Sequence, residues 1–348
     1  MKAALLEGLN KFEVTDIEKP KPKENEVLVK VKAAGICGSD IHKMRTEWKY
    51  ALPMVTGHEF SGVVEEVGSN VTNVSVNDRV TVVPFIPCYE CPYCKAGKFQ
   101  LCENYQMIGS HRYGGFEEYA VVPDTNVINI GDKISFEEAA MIEPLAVAAH
   151  GVMGIEPHIG DTVAVFGLGT IGILTTQWLR LAGVKKIIGI DIDPFKLEEA
   201  KEYGVTDTIN SLEEPLEERI FELTNNMGVD IALECAGSKI TEEQCLLITR
   251  KGGKIGYQGI AYSDVLLHQR AFENIFRREY EIKGFWNSYS APFPGKEWVH
   301  SVEFIEQGKI ELKSLISHRF KLQDIQSAFN LTVNQEESYN KVMILPES

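Results

Sequence analysis

The sequence predicts an α/β protein in which a doubly wound domain, built on a parallel sheet, is inserted into a β-rich domain. Short apolar segments bounded by Gly, Asn and Asp, which are typical of strands, occupy residues 1 to about 150. From Asp161 onward, apolar strands alternate with helices over about 120 residues, as in a parallel sheet covered on both faces. The length of 348 residues also favours two domains over one.

The β-rich part begins with EVLVKVKAAGI at 26–36, which alternates and then runs apolar. FSGVVEEVG and DRVTVVPF are similar short strands further along. After about residue 285 the pattern becomes irregular and then includes two helix-like segments, EWVHSVEFIEQG and LQDIQSAFNLTV. We therefore expect 1–150 and 285–348 to form one domain.

The inserted domain, 151–284, is predicted from alternating elements. Strands are expected at 162–167, 186–192, 229–237 and 253–259, and helices at 170–183, 194–204 and 241–250. The second of these helices has Pro at its start and Gly at its end, as helices often do. This succession predicts a parallel sheet.

Composition and charge exclude several classes of protein. The formal net charge of −15 and pI of about 5.1 repel phosphate backbones and disfavour a nucleic-acid partner. The sequence lacks a run of about 18 apolar residues and an N-terminal secretory pattern, so we expect a cytoplasmic protein without a membrane partner. A reducing compartment argues against disulfides among the seven cysteines.

A dinucleotide-binding motif follows the strand at 162–167. VAVFGLGTIG has the G-x-G-x-x-G spacing, with Gly167 for the turn, Gly169 for close approach of a pyrophosphate and Gly172 for helix packing. Thr170 and Ile171 complete the loop at the helix N-terminus, which favours negative charge. Asp191 ends the next strand, where a carboxylate binds ribose hydroxyls and repels a 2′-phosphate, so NAD is expected. The alternative is a domain that binds another nucleotide or none.

The stretch PFIPCYECPYCKAGKFQLC contains four cysteines in a span of fifteen residues: Cys88, Cys91, Cys94 and Cys102. Their C-x2-C-x2-C-x7-C spacing suits tetrahedral zinc with all positions filled, which stabilises a loop. An iron–sulfur cluster and a zinc ribbon on nucleic acid are the rivals. Mixed flanking charges disfavour the ribbon.

Three other segments contain residues suited to a catalytic metal. GICGSDIH carries Cys37, GHEFSG carries His58 followed by Glu59, and MIEPLAVAAH carries Glu143. One thiolate, one imidazole and one carboxylate leave a coordination position open in a zinc site. A lone Cys or His is more often simply packed or exposed. Glu143 is more informative, because a carboxylate in an apolar run is costly unless it is paired or bound to metal.

These motifs, in this order, resemble those of the zinc-dependent medium-chain dehydrogenase/reductase superfamily over the whole chain. The resemblance implies a GroES-like catalytic domain split around a Rossmann coenzyme domain, and a structural zinc lobe at about 84–104. It implies one catalytic and one structural zinc per chain, NAD, and a homodimer or homotetramer. Glu143 indicates the polyol dehydrogenase branch, because simple alcohol dehydrogenases have Cys there.

The resemblance also implies roles for individual residues. Cys37, His58 and Glu143 would hold the catalytic zinc, with Glu59 close behind and able to exchange onto the metal. Asp40 would orient His58. Ser39 would accept the alcohol proton and pass it toward His42 and solvent. An exposed histidine without a role is the alternative for His42.

Three segments, YQMIGSHRYGGFEEY, WNSYSAPFPGKEW and LISHRF, resemble members of the branch that act on polyol phosphates. This implies oxidation of galactitol 1-phosphate to tagatose 6-phosphate. Arg112 and Lys296 are the expected phosphate ligands, with Lys43 and Arg45 as alternatives, and Asn287 is expected to contact a hydroxyl. The rival hypotheses are a dehydrogenase of sorbitol, arabitol phosphate, 2,3-butanediol or threonine, and a binding protein that retains the fold without catalysis.

Overall fold

The computed structural model describes residues 1–335 and 337–347. The chain divides into two compact units. The β-rich unit comprises Met1–Glu143 and Tyr289–Ser348, and the parallel-sheet unit comprises Pro144–Ser288. Within the described ranges, none of the helices has the length and apolar character needed to cross a membrane.

The elements of the first segment of the β-rich unit are, in order, β1 (Lys2–Gly8), β2 (Lys11–Asp16), β3 (Glu26–Gly35), α1 (Gly38–Arg45), β4 (Met54–Val55), β5 (Glu59–Val67), β6 (Arg79–Val82), β7 (Phe85–Ile86), α2 (Pro92–Lys95), β8 (Gln106–Met107), β9 (Tyr119–Pro123), β10 (Val127–Asn129) and α3 (Phe136–Ala140). Helix α4 (Ile142–Ile155) continues into the parallel-sheet unit.

The remaining elements of the parallel-sheet unit are β11 (Thr162–Phe166), α5 (Thr170–Leu181), β12 (Lys186–Asp191), α6 (Pro194–Ala200), β13 (Asp207–Asn210), α7 (Leu216–Leu223), β14 (Val229–Glu234), α8 (Lys239–Ile248), β15 (Thr249–Tyr257), α9 (Gln269–Arg277) and β16 (Glu281–Gly284). The chain then returns to the β-rich unit with α10 (Lys296–Glu306), β17 (Ile316–Lys321), α11 (Ile325–Asn334) and β18 (Lys341–Leu345). Short 3-10 turns lie at Phe99–Leu101, Asp124–Asn126, Lys201–Tyr203, Lys313–Leu315 and Leu322–Asp324.

In the β-rich unit the main sheet has the order β10-β6-β5-β3-β18-β17, and β9 also pairs with β3. Strand β18, from the end of the chain, pairs antiparallel with β3, so the C-terminal segment completes a sheet begun near the N-terminus. Fully buried side chains of this core include Val29, Phe60, Phe116 and Phe329. Burying a side chain of this kind stabilises the fold by about 1.5–3 kcal/mol.

In the parallel-sheet unit the order is β13-β12-β11-β14-β15-β16, and every adjacent pair is parallel. This is the doubly wound order of a Rossmann domain, in which the first strand lies beside the fourth. Continuous apolar strands such as Thr162–Phe166 are buried on both faces, as a parallel sheet covered by helices requires. The predicted fold class is confirmed.

The helix predicted at 241–250 lies two residues earlier in the structure, at Lys239–Ile248. Helix α8 ends at Ile248 rather than at residue 250, and Thr249 and Arg250 already belong to β15. Thr249 pairs with Val229 of β14, and its hydroxyl donates to the carbonyl of Cys245 at 2.8 Å. Pairing with the neighbouring strand therefore overrides the local helical pattern, because tertiary hydrogen bonds outweigh a weak helix propensity.

Candidate active site and metal centres

The register of two strands brings three potential metal ligands together. Gly35, the last residue of β3, pairs with Glu59, the first residue of β5. Cys37 lies two residues beyond Gly35, at the N-cap of α1, and so comes next to His58 and Glu59. The donor atoms of Cys37, His58 and Glu59 all lie within 4.8 Å of one another. We call these three residues the Cys37 cluster.

A glycine is required where the strands meet. A Cβ at position 35 would lie 2.3 Å from Oε2 of Glu59, closer than real contacts allow. Gly35 therefore lets the Glu59 carboxylate occupy the space beside β3.

The charges around the Cys37 cluster fit a divalent cation. The ionisable groups that interact electrostatically there are four acids, Cys37, Asp40, Glu59 and Glu143, two lysines, Lys43 and Lys341, and the imidazole of His58. With all four acids ionised and the imidazole neutral, as a metal ligand must be, the acids exceed the two ammonium groups by two negative charges. Buried charge of one sign is costly unless it is compensated. One sulfur, one nitrogen and one carboxylate oxygen are also donors that zinc accepts in catalytic sites.

Asp40 lies beside His58, as expected for an orienting partner. Its Oδ2 is 3.3 Å from Nδ1 of His58, and its Oδ1 is 3.5 Å from Nζ of Lys43. Although burial alone would raise it, His58 and Lys43 lower the pKa of Asp40 to about 2. Asp40 is therefore an anion that keeps Nδ1 of His58 protonated and leaves Nε2 for a metal.

Glu143 lies in the first turn of α4 and is buried. Burial is the main cause that raises its pKa to about 7, and the nearby Glu59 raises it further. Within the described residues, Glu143 is not one of the three side chains whose donor atoms lie within 4.8 Å of one another. The structure thus groups Glu59 with Cys37 and His58, and it places Glu143, the predicted third ligand, within electrostatic range of His58 and Glu59.

Lys341 is a functional candidate that sequence reasoning missed. This fully enclosed lysine of β18 donates from Nζ to Oε2 of Glu59 at 2.6 Å and to the carbonyl of Ile36 at 3.2 Å. A lysine that opens the apolar strand KVMIL was the available signal. Its ammonium group holds the Glu59 carboxylate in place.

The two relay candidates lie on α1. The hydroxyl of Ser39 donates to Sγ of Cys37 at 3.4 Å, which places it beside the Cys37 cluster. Nε2 of His42 lies 3.3 Å from the hydroxyl of Thr46. Burial, together with Arg45 and Lys43, lowers the pKa of His42, so its ring is neutral near pH 7 and able to accept a proton.

The predicted substrate residues have different surroundings. Arg112 bonds to Oε1 of Gln106 at 2.8 Å and forms an ion pair with Glu26 at 3.3 Å. Lys296 is exposed at the start of α10, in the β-rich unit. Asn287, in the parallel-sheet unit, has φ of +55°, and its buried Nδ2 has no hydrogen-bond partner within the described part of the chain.

The four-cysteine lobe, Cys88, Cys91, Cys94 and Cys102, gathers its sulfurs within 4.8 Å of one another, and all four thiols are free. The Sγ atoms of Cys88 and Cys94 are 4.0 Å apart. Two sulfurs bound tetrahedrally to one zinc at about 2.3 Å are separated by about 3.8 Å. The lobe therefore fits zinc.

Backbone amides prepare these sulfurs for a cation. The N–H groups of Cys88, Cys91 and Cys94 point at sulfurs of the lobe at 3.3–3.5 Å. Such bonds, chiefly from Cys94 and Glu103, lower the pKa of Cys91 to about 6, whereas burial raises the pKa of Cys94 to about 12.

The glycine-rich loop after β11 fits a dinucleotide. Gly167 has φ of +81°, and Gly169 caps the N-terminus of α5. A Cβ at Gly169 would meet nothing within 4 Å, so the loop is open there, whereas one at Gly172 would lie 1.8 Å from the carbonyl oxygen of Gly167. Thr170 and Ile171 form the first turn of α5, as the motif predicts.

Asp191 ends β12 beside this loop. Its Oδ2 accepts from the N–H of Leu168 at 2.7 Å, and its Oδ1 accepts from those of Ile192 and Asp193. A carboxylate has about four acceptor positions, so one remains for a ribose hydroxyl. Asp191 thus also braces the loop, a role the sequence did not indicate.

Comparison with known proteins identifies the same two functional regions. Residues 23–132 match the alcohol dehydrogenase GroES-like domain, and residues 170–306 match the zinc-binding dehydrogenase family. The predicted GroES-like fold of the β-rich domain is confirmed.

Relatives that match over nearly the full length include polyol dehydrogenases and L-threonine 3-dehydrogenases. The chain is 33% identical to galactitol 1-phosphate 5-dehydrogenase of Escherichia coli strain K12 over 323 residues, 93% of each chain. It is 32% identical to sorbitol dehydrogenase of Bacillus subtilis strain 168 over 351 residues, 99% of this chain and 97% of the relative. The crystal structure of galactitol-1-phosphate dehydrogenase from Escherichia coli superposes with a TM-score of 0.94 at 32% identity, covering 99% of this chain and all of that one.

Proposed function

Because the chain belongs to the polyol dehydrogenase branch of the zinc-dependent medium-chain dehydrogenases, we propose that it oxidises a secondary alcohol of a polyol phosphate with NAD. The expected reaction converts galactitol 1-phosphate to tagatose 6-phosphate. The observation that carries this proposal is the Cys37 cluster, with its donor atoms within 4.8 Å of one another, in a chain similar to a galactitol 1-phosphate 5-dehydrogenase.

The metal would be held by Cys37 and His58, with a carboxylate of Glu59 or Glu143 as the third donor. Zinc bound there supplies a Lewis acid that lowers the pKa of the substrate hydroxyl. Asp40 holds the imidazole of His58 in the tautomer that leaves Nε2 free. Lys341 restrains Glu59 through their 2.6 Å ion pair. Burial raises the pKa of the neighbouring Glu143 to about 7.

The proton of the alcohol would leave through Ser39. Its hydroxyl oxygen would accept the substrate proton, and the proton of the hydroxyl would move toward His42. Because the pKa of His42 is lowered, its ring is neutral near pH 7 and can accept that proton. We expect Ser39→Ala to lower kcat by about 100-fold or more, since general base catalysis contributes about that much. Zinc content should not change. Unaltered kcat would exclude Ser39 as the proton acceptor.

The nicotinamide cofactor would lie on the loop from Gly167 to Gly172 and supplies the hydride acceptor when bound. Asp191 favours NAD, because its carboxylate would repel the 2′-phosphate of NADP. Its contacts with Leu168, Ile192 and Asp193 hold that charge at the end of β12.

The test is the rate of NADH formation with matched substrates. The zinc-loaded chain is assayed with galactitol 1-phosphate, galactitol, sorbitol, 2,3-butanediol and threonine, each with NAD and with NADP. We expect the highest kcat/KM with galactitol 1-phosphate and NAD. A higher value with sorbitol or threonine would replace the proposed substrate, and no oxidation of any alcohol would leave a binding protein as the remaining hypothesis.

A further inference from the structure

We infer that Lys43 is the specificity-determining cation of this site and that it binds the anionic group of the substrate. This inference rests on the proposed function, which requires a phosphate to be accommodated by a chain of net charge −15. Lys43 lies on α1, six residues after Cys37, within the same β-rich unit. It differs from the other candidate cations in what its charged group contacts.

Two of the candidate phosphate ligands, Arg45 and Arg112, already bind other residues of the protein. The guanidinium of Arg45 donates to the carbonyls of Val333 at 2.7 Å and Thr332 at 3.0 Å, near the C-terminal end of α11. There it interacts with the negative end of the helix dipole. Arg112 is held by Glu26 and Gln106. Each guanidinium group therefore already directs two of its five N–H donors to the protein, and the charge of Arg112 is paired with Glu26.

The ammonium group of Lys43 is only weakly engaged. Its one hydrogen bond within the described ranges is a long one, 3.5 Å to Oδ1 of Asp40, although an ammonium has three donors. Only a quarter of the side chain is exposed. Burial would lower the pKa of Lys43, but Asp40, Cys37 and Tyr50 outweigh it and raise the pKa, so the group stays charged.

Two aromatic rings lie beside this ammonium group. Nζ of Lys43 lies 5.6 Å from the ring centroid of Trp48 and 5.7 Å from that of Tyr50. The rings are themselves in edge contact at 5.3 Å. They hold the lysine by cation–π attraction without occupying its N–H donors.

Trp48 adds a second unused donor. Its indole Nε1 is buried and has no hydrogen-bond acceptor among the residues that the structure describes. A buried N–H without a partner destabilises the protein, and binding of an acceptor would relieve this. Lys43 and Trp48 together thus offer an ammonium and an indole N–H to an anion such as a phosphate monoester.

The experiment measures binding directly, independently of turnover. Galactitol 1-phosphate and galactitol are titrated calorimetrically into the zinc-loaded chain with NADH bound. For Lys43→Met we expect the ratio of the two affinities to fall by about 10- to 100-fold, the loss expected for one hydrogen bond to a charged group. Lys43→Arg should keep most of the preference, and Trp48→Phe should lose about 3- to 10-fold of it.

Two control variants test the location. Lys49→Met removes an exposed charge from the same loop, which forms an ion pair with Glu47 at 3.7 Å, and should leave the ratio unchanged. Lys296→Met should also leave it unchanged. An unchanged ratio in Lys43→Met, or a fall in Lys296→Met instead, would overturn the assignment. Equal weakening of both ligands in Lys43→Met would likewise overturn it and indicate that Lys43 only positions Asp40.

Failure of the proposed function can be told apart from failure of this assignment. If the wild-type chain forms no NADH from galactitol 1-phosphate, the proposed reaction is wrong. Inorganic phosphate is then titrated into the same zinc-loaded chain. Binding that Lys43→Met abolishes would uphold Lys43 as an anion ligand, whereas binding that persists, or none in the wild type, would reject it.

Discussion

Glu117 is an acid buried in the β-rich unit, at a position the sequence did not mark as unusual. It is 1% exposed, and within the described part of the chain its Oε2 has no hydrogen-bond partner. Burial raises the pKa of Glu117 well above 4.5. The folded state therefore holds a proton that the unfolded chain releases.

Burial of this acid predicts that the free energy of unfolding decreases as the pH rises. Because the pKa is higher in the folded state, stability is fully present below about pH 4.5 and falls as the pH rises toward the folded-state pKa. We expect Glu117→Gln to raise the free energy of unfolding at pH 8 and to change it little at pH 4, because the amide has no proton that the unfolded chain can release. Urea denaturation at several pH values measures it.

The neighbouring acid provides the control. Oε2 of Glu118 accepts from the backbone N–H of Lys2 at 2.7 Å. Glu118→Gln should not produce an increase in the free energy of unfolding that grows with pH. A gain equal to that of Glu117→Gln would show that net charge, rather than burial, is responsible.

Lys341 and Glu59 form the other residue-scale prediction. Both side chains are at most 3% exposed, and they lie 2.6 Å apart. Lys341→Met leaves a buried carboxylate without its partner, so we expect the free energy of unfolding to fall by about 3–5 kcal/mol. Guanidinium denaturation measures this loss. The double variant Lys341→Met/Glu59→Gln should recover part of it, and no recovery would contradict the pairing.

At the scale of elements, two glycines in the turn from β11 into α5 have different roles. One is needed for packing of the fold and the other for cofactor binding. Gly172 lies in α5, packed against the carbonyl of Gly167, whereas Gly169 caps the helix at an open surface. The same substitution at the two positions should therefore have different consequences.

We expect Gly172→Ala to lower the free energy of unfolding by about 1–3 kcal/mol or more, because its Cβ would lie 1.8 Å from a carbonyl oxygen. Gly169→Ala should leave thermal unfolding almost unchanged but weaken NADH binding at least 10-fold, since the methyl group would project where the pyrophosphate approaches. Thermal denaturation and NADH fluorescence titration measure the two effects. Equal NADH affinity in Gly169→Ala and the wild type would exclude this placement of the cofactor.

At the scale of the whole molecule, two metal centres of different purpose occur in one chain. The four-cysteine lobe offers only sulfur donors and fits a closed structural site. The Cys37 cluster mixes sulfur, nitrogen and oxygen donors and fits a site with an open position.

We expect two zinc ions per chain by mass spectrometry of the metal, and one in each of two variants. Cys94→Ser should lose the structural ion and lower the thermal midpoint markedly, because metal binding is coupled to folding of its loop. Cys37→Ser should lose the catalytic ion with a smaller change in the midpoint. Two ions retained in either variant would disprove the corresponding ligand assignment.

Much of this molecule follows from local sequence. The glycine spacing at 167–172, the apolar strand before it and the acid at 191 are close in sequence, so the Rossmann order and its loop were predictable. The four cysteines lie within one short segment, and their spacing alone indicated a metal. Local pattern determines these features because neighbouring residues cannot separate in the fold.

The tertiary structure decided what depends on distant partners. The β3–β5 register makes Glu59 the neighbour of Cys37 and His58, and strand β18 places Lys341 against Glu59 from 282 residues away. Similarly, the sequence favoured Arg112 as a phosphate ligand, with Lys43 and Arg45 as alternatives, and only the contacts of these side chains distinguish them. The electrostatic role of a charged side chain depends on burial and on the nearest opposite charge, and long-range packing determines both.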